Sequence, residues 1–97
     1  MKYQARYTPE AAARIRKLHP EVKRRARAAI DSLVKAPLGG HGLHDELAGL
    51  RSYRFGKYRI IYRINEKKSS IDILLVGPRR DIYEELRERL IRDSLGS

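Results

Sequence analysis

The chain has 97 residues, with 22 Lys or Arg and 12 Asp or Glu, which gives a formal net charge of +10 and a pI of about 10.3. A chain of this length supports one small hydrophobic core, so residues 1–97 are expected to form a single domain. Cys is absent, which excludes a disulfide framework, zinc sites built from thiolates and a Cys nucleophile. The surplus positive charge attracts polyanions, so the expected partners are RNA, DNA, the ribosome or an acidic protein.

Composition also bears on where the protein acts. Hydrophobic residues make up 41% of the chain, enough for a folded core rather than a disordered segment. The N-terminal residues contain no apolar segment typical of a secretory signal, and no window approaches the roughly 20 apolar residues that span a membrane. We therefore expect a globular, cytoplasmic protein without a membrane partner.

The first third of the chain predicts one strand and two helices. Residues 2–7 alternate between apolar and polar side chains, which is typical of a half-buried strand. Thr8 and Pro9 then provide an N-cap and a first helical residue. Pro20 starts a second helix, so the two helices form a hairpin around Leu18-His19-Pro20. Apolar residues recur at helical spacing in this hairpin at Ala11, Ile15, Leu18, Val22, Ala26, Ala29, Ile30 and Leu33.

The remaining two thirds predict a loop, three strands and a final helix. Pro37 and the glycines after it make residues 37–49 a surface loop. Alternating side chains on either side of Gly56-Lys57 indicate a tight hairpin. The apolar run 71–76 indicates a central strand that is covered on both faces. Asp81 is a candidate N-cap for the final helix, whose apolar positions are Ile82, Leu86 and Leu90.

These elements predict an α+β fold with the order β-α-α-β-β-β-α in a single small domain. The three strands after the helix hairpin can build an antiparallel sheet. The N-terminal helix hairpin is expected to cover one face of this sheet, because its apolar stripe needs a partner.

The alternation after Gly56-Lys57 also predicts a basic surface. If every second residue from Tyr58 faces the helices, Arg59 and Arg63 point to the opposite face, near the place where Arg79 and Arg80 leave the last strand. Converging guanidiniums repel each other unless an anion joins them, and a phosphodiester whose charge grows during cleavage is such an anion. The alternative interpretation is a solvated basic face without a ligand.

Tyr83 is the aromatic residue closest in sequence to these arginines. It lies four residues after Arg79, at the start of the final helix, where its phenol can reach the same concavity. A Tyr that only packs in the core is the alternative interpretation.

The three His residues give weaker indications. His19 fits a helix-junction residue better than a catalyst. His41 and His44 lie three residues apart in a Gly-rich loop beside Asp45 and Glu46, but no Cys or further His completes a set of metal ligands. His44 is an alternative general base if the loop folds over the sheet. We expect neither a metal nor a small-molecule cofactor.

Three segments resemble the RelE/ParE superfamily of toxins from bacterial and archaeal toxin–antitoxin pairs. They are YTPEAAARIRKLHPEVKRRARAAI, ELAGLRSYRFGKYRIIYRI and LLVGPRRDIYEEL, and together they cover nearly the whole chain. In the RelE branch, the resemblance implies metal-independent cleavage of mRNA in the ribosomal A site, by attack of the ribose 2′-OH on the adjacent phosphate. ParE relatives share the fold but inhibit DNA gyrase, so the site residues must distinguish the two activities.

The resemblance also assigns roles to three residues. Arg59 in KYRIIY matches the family arginine that stabilises the scissile phosphate, and Arg79 in GPRRDIY matches a second arginine. Tyr83 matches the tyrosine that activates or orients the 2′-OH. These roles are expectations carried over by position.

The chain departs from the family pattern in the strand before Arg59. Where relatives often have two lysines two residues apart, this chain has Arg54 and Gly56, with Lys57 next to them. Arg stays protonated, so Arg54 would act through its charge, and Tyr83 or Lys57 would carry more of the proton transfer. The predicted catalytic residues are Arg54, Lys57, Arg59, Arg79 and Tyr83.

The expected partners follow from the charge and from the resemblance. They are the ribosome with mRNA in its A site and a small acidic antitoxin, which would cover Arg59 and Arg79 or displace the final helix. The residues predicted to contact RNA or the ribosome are Lys23, Arg24, Arg25, Arg27, Arg51 and Arg80. Two alternatives stay open, a gyrase inhibitor of the ParE kind and an RNA-binding module without catalytic activity.

Overall fold

The structure is a computed structural model that describes the backbone of residues 2–96 and the side chains of residues 2–92. The helices and strands of this range are β1 (Gln4–Tyr7), α1 (Pro9–Lys17), α2 (Pro20–Lys35), β2 (His41–Gly42), β3 (Arg51–Phe55), β4 (Tyr58–Asn65), β5 (Ser70–Pro78) and α3 (Ile82–Gly96). Two 3₁₀ turns, Pro37–Gly39 and Asp45–Leu47, lie between α2 and β3. None of the helices described is long and apolar enough to cross a membrane.

The sheet is mixed, with the strand order β1-β5-β4-β3-β2. The three long strands pair antiparallel, as predicted, but β1 lies parallel to β5, with Gln4 opposite Ser70 and Tyr7 opposite Ile73. The antiparallel pairing predicted for the three strands after the helix hairpin is therefore confirmed, and β1 adds a parallel edge strand that the sequence did not place. Parallel neighbours need a long connection, and the chain from α1 to β4 provides one between β1 and β5.

The segment predicted as a surface loop, residues 37–49, contains two pieces of ordered structure. The short strand β2 pairs with β3 at the edge of the sheet. The 3₁₀ turn Asp45–Leu47 buries the side chain of Leu47. This segment therefore contributes to the sheet and to the core.

Local signals start the helices where the sequence predicts. The Thr8 hydroxyl accepts a hydrogen bond from the Ala11 amide at 3.1 Å and donates to the Leu74 carbonyl at 3.1 Å, so it caps α1 and ties it to β5. At the start of α2, His19 Nδ1 accepts a hydrogen bond from the Glu21 amide at 3.3 Å. His19 is thus a helix-junction residue, as expected.

The helix hairpin covers one face of the sheet, as predicted, and the main core lies between them. Its buried side chains are Ala11, Ala29, Ile30, Leu33, Ile60, Tyr62, Ile71, Ile73 and Val76. Burial of one large aliphatic side chain contributes roughly 1.5–3 kcal/mol. This layer is therefore the larger source of apolar stabilisation.

The opposite face of the sheet is covered by α3 and by the 3₁₀ turn Asp45–Leu47. The buried side chains of this second, smaller cluster are Leu47, Ile61, Leu75, Ile82 and Leu86. The strand β5 contributes to both clusters, which confirms the prediction that it is covered on both faces.

Candidate active site

A groove of about 510 Å³ lies between the β3–β4 turn and the end of β5. The turn is tight because Gly56 has a φ of +58°, a conformation that favours Gly. The Arg79 amide donates to the Lys57 carbonyl at 2.8 Å, and this hydrogen bond fastens the chain after β5 to the turn. The residues that line the groove are Arg54, Gly56, Lys57, Pro78, Arg79, Arg80 and Asp81.

Arg59 lies next to this groove, on the side of the sheet that α3 covers. It is opposite Arg54 in the β3–β4 pair and opposite Gly77 in the β4–β5 pair, so the two arginines share a face. Gly77 leaves room for α3, because a Cβ at this position would lie 3.1 Å from Ile82 Cδ1. The start of α3, which carries Tyr83, therefore packs closely over β5.

A buried hydroxyl group joins Arg59 to Tyr83. Arg59 Nη1 donates to Ser52 Oγ at 3.0 Å, and the Tyr83 hydroxyl donates to the same oxygen at 3.0 Å. The Arg59 guanidinium carbon is also 5.7 Å from the centroid of the Tyr83 ring, within the range of a cation–π interaction. We call these three residues the Arg59–Ser52–Tyr83 cluster.

Cations dominate the surface around the cluster. Four exposed cationic side chains line the groove, namely Arg54, Lys57, Arg79 and Arg80. Within the described side chains, neither these four nor Arg59 forms an ion pair with a carboxylate. Asp81 is the one acidic residue in the lining. Like charges held together in this way favour an anionic ligand with several acceptor oxygens.

The Arg59 guanidinium itself is incompletely hydrogen-bonded. Its Nε is buried and has no hydrogen-bond partner among the described residues. A buried donor without an acceptor is unfavourable, so an anionic oxygen brought to this guanidinium would supply an interaction that the protein alone does not.

The structure brings the predicted catalytic residues to one place. Arg59 and Tyr83 contact each other, and the groove beside them is lined by the other three, Arg54, Lys57 and Arg79. Arg80, which was predicted to contact RNA, lines the same groove. The catalytic and RNA-binding roles of these residues stay predictions.

The α2 residues predicted to contact RNA or the ribosome lie on the other side of the sheet. They are Lys23, Arg24, Arg25 and Arg27, and all belong to the helix hairpin. Arg24 forms an ion pair with Glu21 one helical turn away. Arg25 reaches the edge of the β3–β4 turn. Its guanidinium lies so close to Gly56 that a Cβ at this position would overlap it.

Arg51 and Arg63 are engaged within the fold. Arg51 donates from Nε to the Tyr62 hydroxyl at 3.2 Å and from Nη2 to the Gly40 carbonyl at 2.9 Å. Arg63 pairs with Asp72 at 3.4 Å. Arg63 lies four positions after Arg59 along β4, a distance of about 13 Å. It therefore does not join the basic concavity in which we expected it.

Sequence reasoning missed Ser52. The one indication in the sequence is the alternation in RSYRF, which places Ser52 on the same face as Arg54. A single Ser in a strand has no sequence pattern of its own. Its importance becomes visible only when folding places Arg59 and Tyr83 on either side of its hydroxyl.

His41 and His44 are exposed and are not among the residues that line the groove. Across residues 2–96, no three His, Cys, Asp or Glu side chains are grouped so that they could hold a metal ion.

Comparison with known proteins defines the class of this small basic α+β protein. Residues 5–83 match the family model described as the ParE toxin of the type II toxin–antitoxin system parDE. The chain is therefore a toxin of a type II toxin–antitoxin system. It belongs to the RelE/ParE superfamily, which confirms the resemblance seen in the sequence.

Individual relatives agree with this assignment. The chain is 39% identical over 85 residues to Toxin RelG of Mycobacterium tuberculosis. This alignment covers 86% of this chain and 98% of RelG. A toxin–antitoxin complex of the same organism, RelBE2, contains a chain with 36% identity and a TM-score of 0.75, over 81% of this chain and 100% of that one. The archaeal RelE–RelB complex of Pyrococcus horikoshii gives 27% identity and a TM-score of 0.66, over 81% and 97% of the two chains.

Proposed function

We propose that this toxin is a metal-independent endoribonuclease that cuts mRNA in the A site of the ribosome and so inhibits translation. The observation that carries the proposal is the Arg59–Ser52–Tyr83 cluster. It lies beside a groove with four cationic side chains that have no carboxylate partner among the described residues. A gyrase inhibitor acts by binding and does not require a phenol held against a guanidinium. A phosphodiester cleavage site requires both charge stabilisation and proton transfer.

The cations would stabilise the phosphate during cleavage. Arg59 and Arg79 are the residues for this role, because Arg59 belongs to the cluster and Arg79 lines the groove beside it. As the 2′-oxygen attacks, negative charge grows on the phosphate oxygens, and guanidiniums placed in advance lower the energy of that state. Arg54 adds charge without exchanging a proton, since Arg stays protonated.

The reaction itself moves one proton onto the leaving group and one away from the nucleophile. The 2′-oxygen forms a bond to phosphorus while the bond from phosphorus to the 5′-oxygen of the next nucleotide breaks. The 2′-OH proton passes to Tyr83 or Lys57, or to a water molecule when the residue only orients the 2′-OH, and the leaving 5′-oxygen takes up a proton from water. The products are an RNA end with a 2′,3′-cyclic phosphate and a 5′-hydroxyl end.

The ribosome would supply the positioning that this small protein lacks. The groove is an open feature of the surface beside the β3–β4 turn. Correct alignment of reacting groups can contribute roughly 7–11 kcal/mol in the best intramolecular reactions. We therefore expect translated mRNA to be cut far faster than the same RNA free in solution.

Three substitutions test the proposal, each removing one proposed role. We expect Arg59→Ala and Arg79→Ala to slow single-turnover cleavage on programmed ribosomes by about 30- to 1000-fold each, if each cation contributes ~2–4 kcal/mol in the transition state. Tyr83→Phe should slow it by about 10²-fold while leaving ribosome affinity intact. The readout is primer extension of a translated message.

Arg63→Ala is the matched control. Arg63 lies on the same strand as Arg59 but pairs with Asp72 outside the groove. The variant should cut at nearly the wild-type rate. Wild-type rates for all three site variants would show that these residues do not carry the chemistry. Equal cleavage of free and translated RNA would refute the dependence on the ribosome.

We also propose an acidic antitoxin as the partner of this chain, as in the RelBE2 and RelE–RelB complexes. The net charge of +10 favours such a partner. Among the described side chains, the buried apolar anchors of α3 are Ile82 and Leu86, whereas Ile91 is 60% exposed. A better-packed antitoxin helix could therefore replace α3, or an acidic segment could cover Arg59 and Arg79. Co-expression with acidic proteins encoded beside the gene tests for a stable complex.

The matching family model describes a ParE toxin. Because the resemblance implies gyrase inhibition for ParE relatives, inhibition of DNA gyrase is the second candidate function. This function would leave translation intact and cause broken DNA to accumulate in intoxicated cells. Measuring protein synthesis and DNA breaks in the same culture separates the two candidates. Loss of translation first supports the nuclease, and DNA breaks with continuing translation support the gyrase inhibitor.

A further inference from the structure

The Ser52 hydroxyl lies between the two side chains to which we assign the central steps of cleavage. We propose that Ser52 is a positioning residue, which orients the Arg59 guanidinium toward the phosphate and the Tyr83 phenol toward the 2′-OH. This inference rests on the proposed nuclease function. The resemblance to known toxins assigns no role to this position, and the role follows from the geometry of this chain.

Backbone pairing with two neighbouring strands fixes the position of Ser52. Its strand pairs on both sides, with Ser52 opposite His41 in β2 and opposite Ile61 in β4. The side chain is fully buried, and both hydrogen bonds to its Oγ measure 3.0 Å. A group fixed by backbone pairing on two sides orients its partners better than a group on a mobile loop.

The donor and acceptor capacity of the Ser52 hydroxyl explains how it can bind both Arg59 and Tyr83. A hydroxyl has one hydrogen to donate and two lone pairs to accept. Arg59 can only donate, so it occupies one lone pair of Oγ. The Tyr83 hydroxyl donates to the other, and its own lone pairs then stay available to accept a hydrogen bond from the 2′-OH.

The same contact also serves a deprotonated Tyr83. If the phenol has lost its proton, rotation of the Ser52 O–H about the Cβ–Oγ bond turns its hydrogen toward the phenolate oxygen, and no heavy atom has to move. Arg59 Nη1 still donates to Oγ, so a charged donor polarises the chain of hydrogen bonds from Arg59 through Ser52 to Tyr83.

For Arg59, the Ser52 hydroxyl is an acceptor that nothing nearby replaces. The contact from Nη1 to Ser52 Oγ is the guanidinium's one hydrogen bond among the described residues, and Nε has none. Without the hydroxyl, the guanidinium would be held only by its contact with the Tyr83 ring and would sample other rotamers.

The test compares Ser52→Ala with Ser70→Ala. Ser70 is a matched control, because it is 1% exposed, lies in a strand and donates a hydrogen bond to Asp72 at 2.7 Å, away from the groove. We expect Ser52→Ala to lower the single-turnover cleavage rate by about 10- to 100-fold at saturating ribosomes, with unchanged ribosome affinity. Ser70→Ala should leave the rate unchanged, and Ser52→Thr, which retains the hydroxyl, should recover most of the lost rate.

Combination with the site variants tests whether Ser52 acts through its two partners. In an Arg59→Ala/Tyr83→Phe background, adding Ser52→Ala should produce no further loss of rate, because both partners are already gone. A further tenfold loss would indicate a separate role and overturn the inference. Ser52→Ala at the wild-type rate would also overturn it, even if Arg59→Ala and Tyr83→Phe cut slowly and so support the nuclease.

A spectroscopic measurement keeps the inference testable if the wild-type protein does not cut mRNA. We expect Ser52→Ala to shift the NMR signals of Tyr83 Cζ and of the Arg59 guanidinium nitrogens, and Ser70→Ala to leave them in place. Unchanged signals in Ser52→Ala would show that the hydroxyl does not orient these groups. Absent cleavage by the wild type together with shifted signals would refute the proposed function and retain the geometric role.

Discussion

The buried phenol of Tyr62 ties the segment before β2 to the sheet. Its hydroxyl donates to the Pro37 carbonyl at 2.7 Å and accepts from the Gly40 amide and from Arg51 Nε, each at 3.2 Å. These three bonds use the full hydrogen-bonding capacity of a phenol. Gly is also needed at position 40, because a Cβ there would lie 2.5 Å from the Ser52 carbonyl oxygen. A fully buried polar group thus organises the chain beside the candidate site.

We expect Tyr62→Phe to lower the free energy of unfolding by about 1–3 kcal/mol, because the Gly40 amide and Arg51 lose their acceptor. Urea denaturation measures the change. Tyr58→Phe is the control, since Tyr58 stacks on Phe55 at 5.5 Å and its hydroxyl has no hydrogen-bond partner among the described residues. The control should change stability by less than about 0.5 kcal/mol. Equal losses in both variants would contradict a specific role for the Tyr62 hydroxyl.

At the scale of elements, α3 is joined to the rest of the molecule by ion pairs as well as by apolar side chains. The pairs link this helix to α1 and to the 3₁₀ turn Asp45–Leu47, and they are Arg14–Glu85, Glu10–Arg89 and Glu46–Arg87. Exposed pairs of this kind contribute little each, at most about 1 kcal/mol. Among the described side chains, the attachment of α3 therefore depends mainly on Ile82 and Leu86.

Glu46 provides a pH test of this attachment. A hydrogen bond from its own backbone amide, and then a hydrogen bond from Arg87 Nε at 2.9 Å, hold the pKa of the Glu46 carboxyl below its ordinary value of 4.5. Because the pKa is lower in the folded state, this carboxylate stabilises the fold at neutral pH. That contribution is lost as the pH falls below 4.5 and through the folded-state pKa.

We expect Arg87→Gln to raise the pKa of Glu46 part of the way toward its ordinary value, since the backbone hydrogen bond, the larger cause, remains. NMR titration of the Glu46 carboxyl carbon measures the change. Arg92→Gln on the same helix should leave the titration unaffected. An unchanged Glu46 pKa in Arg87→Gln would show that the pair does not form in solution.

At the scale of the whole molecule, positive charge is distributed over two surfaces on opposite sides of the sheet. One is the groove beside the Arg59–Ser52–Tyr83 cluster, and the other is the exposed side of α2. The first is suited to the reacting phosphate. Under the proposed function, the second surface would hold the toxin on ribosomal RNA, so binding and cleavage should be separable by mutation.

Neutralising Lys23, Arg24 and Arg25 together should weaken ribosome binding and leave the saturated cutting rate nearly intact. Each lost phosphate contact should also reduce the slope of log affinity against log salt by about 0.7–0.9. Equilibrium binding at several salt concentrations gives the slope. Neutralising Lys67 and Lys68, which lie in the β4–β5 turn, is the control. An equal fall in slope for both variants would show that total charge, rather than the α2 surface, determines binding.

The sequence by itself determined the helices, the hairpins and the sorting of side chains between faces. These features depend on neighbours within a few residues, such as the Thr8 cap, the Gly56 turn and the alternation along β4. The resemblance to known toxins also placed Arg59, Arg79 and Tyr83 in one site, because motif order carries information that local physics does not. The structure brings these three residues to the groove and its neighbouring cluster.

Only the tertiary structure decided the features that depend on long-range pairing. It placed β1 parallel to β5, with 62 residues between Tyr7 and Ser70, because that edge of β5 was open to a partner. It engaged Arg51 with Tyr62 and separated Arg63 from the site. It also put the Ser52 hydroxyl between Arg59 and Tyr83. Residues far apart in sequence meet there because sheet register and the packing of α3 determine which side chains share a face, and no local pattern encodes that register.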